Sequence, residues 1–315
     1  MSCTDSQTST LRSTELSQLG PEDFAPEAPI ERLPLLTPES IARITESSEV
    51  KYIFELDLGD GERSTFTSYD GLVAQGDILI ATVDEFITEV SILASENGIN
   101  SQGAMKEQEC TATDGLTGRC SRWTGRHWPG GTIPYQLFSG SYFPYAEFSQ
   151  ADFDAIYAAM DVIEASTGVN FIVRNGQDDY VRIIPDAEGS CSSYLGRRGG
   201  RQDLLLDPDV CFNGANNYGS VIHELGHAVG LIHEHQRPDR DAFITLTSAG
   251  QGWSQVGPTK SVETQTAYEY GSIMHYAPSY RGVTYFTYDD PAGNGSYQRD
   301  DMTALDLEAI RQRYP

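Results

Sequence analysis

The run His223-Glu224-Leu225-Gly226-His227-Ala228-Val229-Gly230-Leu231-Ile232-His233 sets three histidines, a glutamate and two glycines at spacings that suit a metal centre. On a helix, His223 and His227 lie one turn apart and project from the same face. Two neutral imidazoles can then hold one tetrahedral Zn2+ while a third ligand arrives from elsewhere. Gly230 accounts for that arrival. Without a Cβ it can take the left-handed conformation that ends a helix, so the chain turns back and delivers His233. Glu224 follows the first ligand and faces the open side of the metal, where it can take a proton from water and return it to a leaving amine. The competing reading is a solvated helix face that carries histidines by chance. Against it, five of the six histidines (His223, His227, His233, His235 and His275) lie in this stretch or in a second short motif downstream.

The pattern H-E-x-x-H-x-x-G-x-x-H resembles the signature of the metzincin metalloproteases. Glu234, followed by His235-Gln236-Arg237-Pro238-Asp239-Arg240-Asp241, is similar to the continuation that marks the astacin family of zinc metalloendopeptidases. Ser272-Ile273-Met274-His275-Tyr276 resembles the family's Met-turn. The resemblance implies that Met274 forms an apolar floor beneath the metal. It also implies that Tyr276 is a swinging fifth zinc ligand, which moves on substrate binding to donate a hydrogen bond to the oxyanion. Glu234, otherwise a plain surface acid, would meet the new N-terminus of the mature chain. Taken alone, a methionine and a tyrosine in a loop would be packing residues.

The likeness extends from about Trp128 to Tyr314. Trp128-Pro129-Gly130-Gly131-Thr132-Ile133-Pro134-Tyr135 is similar to the opening of astacin catalytic domains. The stretch Cys191 to Cys211 resembles a hairpin closed by a disulfide, whose edge strand receives an extended substrate in the antiparallel sense. Thr303 to Tyr314 matches the final helix. The fold implied is α+β: a zincin-like domain with a mixed five-stranded sheet, long helices and a zinc cleft between two lobes. One departure stands out. Such domains usually carry a second disulfide from the end of the first helix to the C-terminal region, and neither Thr167-Gly168-Val169 nor Tyr314-Pro315 supplies a cysteine. A loss of a few kcal/mol, roughly the worth of one disulfide, is expected unless something compensates.

The elements that must position this site can be read in outline. Ser149 starts a helix in which Ile156, Met160 and Ile163 recur at helical spacing, a core-facing stripe. Residues 169–173 and 180–184 are strand-like. Upstream, Lys51 to Leu56 and Asp77 to Val83 read as short strands separated by a turn near Asp60-Gly61, and residues 84–97 as a short helix. The first forty residues are rich in Ser, Thr, Pro and Glu and read as a flexible leader. The organisation expected is leader 1–40, propeptide 41–119 and protease domain 120–315, with cleavage between Thr117 and Arg122. Astacin propeptides commonly hold an F-x-G-D segment whose aspartate binds zinc. Ala74-Gln75-Gly76-Asp77 is the nearest match and makes Asp77 the candidate latency ligand, although alanine replaces the phenylalanine. Gly59-Asp60 is the other pair of this kind and sits in a turn.

At 315 residues and 39% hydrophobic composition, the chain has material for two domains and a sizeable core. No apolar run is long enough to span a bilayer. A net charge of −25 argues against nucleic acid as a partner. Residues 1–119 hold 22 acidic and 7 basic side chains, so most of the excess lies upstream of the metal motif. Five cysteines are present. By resemblance Cys191 pairs with Cys211. Cys110 and Cys120 flank the expected junction and are either bridged to each other or the source of a thiolate that holds latent zinc in place of Asp77. Cys3, in Met1-Ser2-Cys3, is either a lipidated residue of a truncated bacterial lipoprotein signal or a simple thiol. Disulfides favour a secreted or extracytoplasmic setting.

These residues point to hydrolysis of internal peptide bonds in proteins, in an enzyme made latent by its own propeptide and activated by another protease or by itself. Two alternatives remain at the level of sequence. One is a zinc-stabilised binding module without catalysis, which would normally lose Glu224. The other is a serralysin- or matrixin-like protease, which Glu234 argues against.

Overall fold

A computed structural model of the chain describes residues 30–33, 43–44, 51–57, 63–69, 72–75, 77–83, 86, 127–138, 147–186, 191–251, 266–280, 282–290 and 297–315. The N-terminal part contributes five short strands: β1 (Ile30–Leu33), β2 (Lys51–Asp57), β3 (Arg63–Tyr69), β4 (Leu72–Gln75) and β5 (Ile78–Thr82). Strands β2 to β5 form an antiparallel meander with β1 added in parallel to β2. Alternation along β2 and β3 sends Tyr52, Phe54 and Phe66 inward. Phe54, Phe66 and Phe86 then meet in a three-ring cluster with centroids 5.5–5.8 Å apart. Only Val83 and Phe86 of the expected helix at residues 84–97 and its border are described, both in helical conformation.

The C-terminal part begins with β6 (Thr132–Leu137) and continues through helix α1 (Gln150–Ser166), β7 (Asn170–Val173), β8 (Tyr180–Pro185), β9 (Cys191–Tyr194), β10 (Arg201–Leu206) and helix α2 (Gly219–Val229). Short strands β11 (Ile244–Leu246), β12 (Ser279–Tyr280), β13 (Val283–Thr284) and β14 (Phe286–Tyr288) follow, and helix α3 (Ala304–Arg313) closes the chain. The strands β9-β10-β8-β6-β7 make the mixed five-stranded sheet expected, with β9 antiparallel to β10. The α+β class holds. What composition did not show is that β5 pairs in parallel with β9, so that both parts share one ten-stranded sheet.

Helix α1 starts where Ser149 and Asp152 cap each other: Asp152 N–H donates to Ser149 Oγ and Ser149 N–H to Asp152 Oδ2. Its stripe of Ile156, Met160 and Ile163 is buried in the main core with Ile133, Ile183, Leu204, Ile222 and Leu225. Helix α2 is buried along its whole length, so its last carbonyls must find donors inside the protein. They do. Gly230, at φ 109°, turns its N–H back to Gly226 and His227. Gly196 N–H serves His227, Trp128 Nε1–H serves Ala228 at 2.8 Å, and the Tyr314 hydroxyl serves Val229 at 2.9 Å. A Cβ on Gly230 would stand 2.7 Å from the Arg313 guanidinium, so this turn is also closed against α3.

Where resemblance leads one to expect a second disulfide, the end of α1 and the C-terminal region are joined by other contacts. Arg311 Nη1 donates to Ser166 O at 2.8 Å. Gly168 lies so near the C-terminus that a Cβ there would meet Tyr314 O at 2.3 Å. The Cys191–Cys211 disulfide is present, joining the start of β9 to the turn after β10. Cys3, Cys110, Cys120, Gly59-Asp60 and the expected cleavage region lie outside the described residues. Replacing both Cys191 and Cys211 by serine should lower the unfolding free energy by about 3 kcal/mol, the chain-entropy value for a loop of this length. Denaturant melts of the two proteins measure it, and an unchanged midpoint would show that the bridge contributes nothing.

Candidate metal centre

The three histidines of the motif converge. His223, His227 and His233, with Asp77, bring one ligand atom each to within 4.8 Å of one another, and all four side chains are buried. Gly230 does what its position requires: the bend after α2 carries His233 back until its Nε2 lies 3.1 Å from His227 Nε2. Each ring is oriented from behind. His223 Nδ1 lies 2.7 Å from Ile273 O and 2.5 Å from Arg299 Nη1, while His227 Nδ1–H donates to Leu231 O at 2.8 Å and His233 Nδ1–H to Gln236 Oε1 at 2.7 Å. A neutral imidazole carries one proton, so a ring protonated at Nδ1 leaves its Nε2 lone pair to face the shared point. Burial holds His223 and His227 below the usual imidazole range, which favours the neutral form a ligand needs.

Asp77 enters this cluster from the turn before β5. Its Oδ2 lies 3.1 Å from His223 Nε2, and its Oδ1 lies 3.3 Å from His227 Nε2 and 2.7 Å from His233 Nε2. Burial pushes its carboxyl up, but attraction to His233 and the Nε2–H bonds that the rings donate when they hold a second proton outweigh this and keep it well below the carboxylate range. The donor set fits zinc. Ligands about 2.0–2.1 Å from a tetrahedral ion stand about 3.3 Å from each other, close to most of the spacings seen here.

Glu224 is buried beside the cluster, and its Oε2 has no hydrogen-bond partner among the described residues. Burial first, and the neighbouring Asp77 charge second, push its carboxyl well above the usual range. Met274 is buried against α2, where a Cβ on Gly226 would meet its Sδ at 2.6 Å. The small residue inside the motif thus lets this turn pass beneath the helix. The Tyr276 ring lies against His233, tilted by 50° with centroids 4.3 Å apart, and its hydroxyl accepts from Asp77 N–H at 3.4 Å. Glu234 Oε1 accepts from Arg237 Nη1 at 2.9 Å and from Glu269 N–H at 2.8 Å. Burial raises its pKa to about 7.

Several supporting residues escaped the sequence reading. Asp306 caps α3 through Thr303 and also reaches the turn below the metal, accepting from Ser272 Oγ and Ile273 N–H. The Thr303-x-x-Asp306 capping box was visible in the sequence; its second task was not. Gln236 carries no signal of its own. Arg299 Nη1 donates to Ile273 O at 2.5 Å, the carbonyl that also receives His223. Two glycines admit this segment, since a Cβ on Gly214 or Gly219 would sit within 2 Å of Arg299 O.

Three imidazoles on a buried helix and turn, a flanking glutamate and a methionine turn below them define a metzincin-type zinc site. Comparison with known proteins narrows this class. The family profile described as Astacin, a peptidase family, matches residues 121–315. The chain therefore belongs to the astacin family of zinc metalloproteases. It is 32% identical over 198 residues to zinc metalloproteinase nas-14 of Caenorhabditis elegans, covering 59% of this chain and 37% of that one. It is 35% identical over 158 residues to bone morphogenetic protein 1 of Xenopus laevis, covering 48% and 21%. Each alignment spans less than two thirds of the relative's own length. Among solved structures, high choriolytic enzyme 1, a hatching enzyme zinc-protease from Oryzias latipes, is similar at 25% identity and a TM-score of 0.49, covering 66% of this chain and 98% of that one.

Removing one imidazole tests the ligand set. His227→Ala should weaken zinc binding by well over the roughly 10–100-fold that loss of a ligand's outer hydrogen-bond partner costs. Titration against a chromophoric chelator reads the affinity, and undiminished binding would take His227 out of the site.

Proposed function

We propose that the chain is a zinc-dependent endopeptidase that hydrolyses internal peptide bonds of proteins and is held latent by its own N-terminal unit. The observation that carries this reading is the convergence of three Nε2 atoms beside a buried glutamate whose outer oxygen lacks a partner among the described residues. Zinc held by His223, His227 and His233 supplies Lewis acidity, polarising a carbonyl and making water more acidic. Glu224 is the group placed to take the proton from attacking water and then deliver it to the leaving amine. Tyr276 keeps its phenolic proton, because burial and then the Asp77 charge push its pKa well above normal. It can therefore donate to an oxygen that gains negative charge, once Asp77 has left. The family's use of the same tyrosine as a zinc ligand at rest extends to this position.

Strand β9 is the natural substrate edge, where an extended chain gains main-chain hydrogen bonds at any sequence. In the structure that edge is taken. Ser193 N–H donates to Asp77 O at 3.1 Å, and Ile78 and Leu79 register against Ser193 and Tyr194 in the parallel sense. A substrate added antiparallel would run the other way, so the N-terminal unit fills the cleft with reversed chain direction and presents a carboxylate, rather than a peptide carbonyl, to the histidines. This supports Asp77 as the latency ligand and residues 41–119 as a propeptide behind the leader 1–40. Activation follows from cleavage between Thr117 and Arg122, by another protease or by the enzyme itself, leaving 120–315 as the protease. Glu234 borders a cavity of about 40 Å³ that Glu269 and Asp306 also line, an acidic recess suited to a new amino terminus. The Cys191–Cys211 bridge supports an oxidising, extracytoplasmic setting. Among the described residues no helix is long and apolar enough to cross a membrane.

Glu224→Ala should keep zinc yet lose casein hydrolysis by about 10²–10⁴-fold, the usual worth of a general base; near-normal turnover of the metal-loaded variant would refute the assignment. In the uncleaved full-length chain, Asp77→Ala should raise basal activity by about tenfold or more, as expected for loss of a charge-assisted contact of roughly 1.5–3 kcal/mol. Unchanged latency would move the role to Cys110 or Cys120.

A further inference from the structure

Two residues that the proposed mechanism does not use stand behind Tyr276. His275 Nδ1 lies 2.7 Å from Tyr276 O. A carbonyl oxygen only accepts, so Nδ1 carries the proton and Nε2 of the neutral ring is an acceptor. The Tyr268 hydroxyl, 2.7 Å from that Nε2, must then be the donor. Every proton in the chain Tyr268 to His275 to Tyr276 is assigned. The other side of Tyr276 is held as well, because its N–H donates to His235 Nδ1 at 3.3 Å and its ring stacks on His235 with centroids 4.5 Å apart. Two imidazoles thus grip the main chain of Tyr276, one at the N–H and one at the C=O.

Tyr268 is itself fixed. Its ring stacks on Phe243 with centroids 4.4 Å apart and an interplanar angle of 5°, and the Arg237 guanidinium lies 5.4 Å from its centroid. Arg237 donates to Thr266 O and Ala267 O, and Glu234 Oε1 receives Glu269 N–H. The segment carrying Tyr268 is therefore clamped by the Glu234–Arg237 pair, of which Glu234 borders the acidic recess.

We propose that Tyr268 and His275 are positioning residues for Tyr276. They set the backbone from which its phenol reaches toward the metal side, and they connect that backbone to Glu234 and Arg237. This inference rests on the reading of Tyr276 as an oxyanion donor. Neither residue touches substrate; both act through Tyr276.

The test is a double-mutant cycle on the enzyme activated from the full-length chain, with casein turnover and zinc content measured together. Tyr268→Phe removes one oxygen and keeps the ring, and it should lower kcat by about tenfold with KM and zinc content unchanged. In a Tyr276→Phe background the same substitution should change kcat by less than about twofold, since its effect runs through a hydroxyl already gone. A purely structural role would multiply with Tyr276→Phe instead, and that result overturns the inference. So does a kcat for Tyr268→Phe within about twofold of the parent. His275→Asn, whose amide can donate to Tyr276 O without reaching Tyr268, should repeat both results and decides the matter should Tyr268→Phe fold poorly. A Tyr276→Phe enzyme with full kcat would overturn the reading of Tyr276 and this inference with it. A slow Tyr276→Phe combined with multiplicative losses overturns this inference alone.

Discussion

Everything at the centre depends on where three imidazole protons sit. Each Nδ1 faces an oxygen from a different place: Ile273 in the turn below the metal, Leu231 just past the helix bend, and Gln236 after the third histidine. That arrangement leaves three buried lone pairs facing one another, which is unfavourable until a cation or an acid comes between them. The bend at Gly230, the passage of Met274 under Gly226 and the anchoring of Ser272 and Ile273 by Asp306 all serve to keep those three oxygens in place. The fold thus reserves a place for positive charge at the end of its most deeply buried helix.

Charge balance in the cluster sets its two carboxyls apart. Asp77 and Glu224 are both buried carboxyls within each other's field, and they diverge in proton affinity. Asp77 is held anionic where the imidazoles carry a second proton, whereas Glu224, without a hydrogen-bonded cation, rises. Arg299, lodged against Ile273 O, tempers the second of these. Removal of Asp77 would relieve Glu224 of a neighbouring negative charge and free the Tyr276 hydroxyl from the Asp77 amide. One aspartate therefore bears on Glu224, on the Tyr276 phenol and on the metal position together.

Much of this was legible in the residues, for reasons that are local. Helical spacing fixes which face His223 and His227 share, a glycine at a helix end announces a turn, and Ser149 and Thr303 mark helix starts through their own hydroxyls. Strands β2, β5, β7 and β8 follow from runs of β-branched and aromatic residues. What sequence could not show depends on distance along the chain. Nothing around Asp77 says that β5 would pair with a strand more than a hundred residues away, since main-chain pairing leaves no side-chain signature. Gln236, Arg299 and Asp306 acquire their roles only when separate segments meet. The short strands β11 to β14 lack the length for periodicity to speak.

Strand β5 also covers something that chemistry alone would overlook. Without it, β9 presents a row of unpaired amides and carbonyls at the rim of a five-stranded sheet, and such open rims recruit other extended chains indiscriminately. The N-terminal unit hides that rim by continuing the sheet with β5 and four further strands. Covering that rim blocks edge-to-edge pairing with a second copy, so the N-terminal unit also acts as an intramolecular guard against aggregation. A domain without it would depend for its colloidal stability on how quickly another polypeptide took its seat.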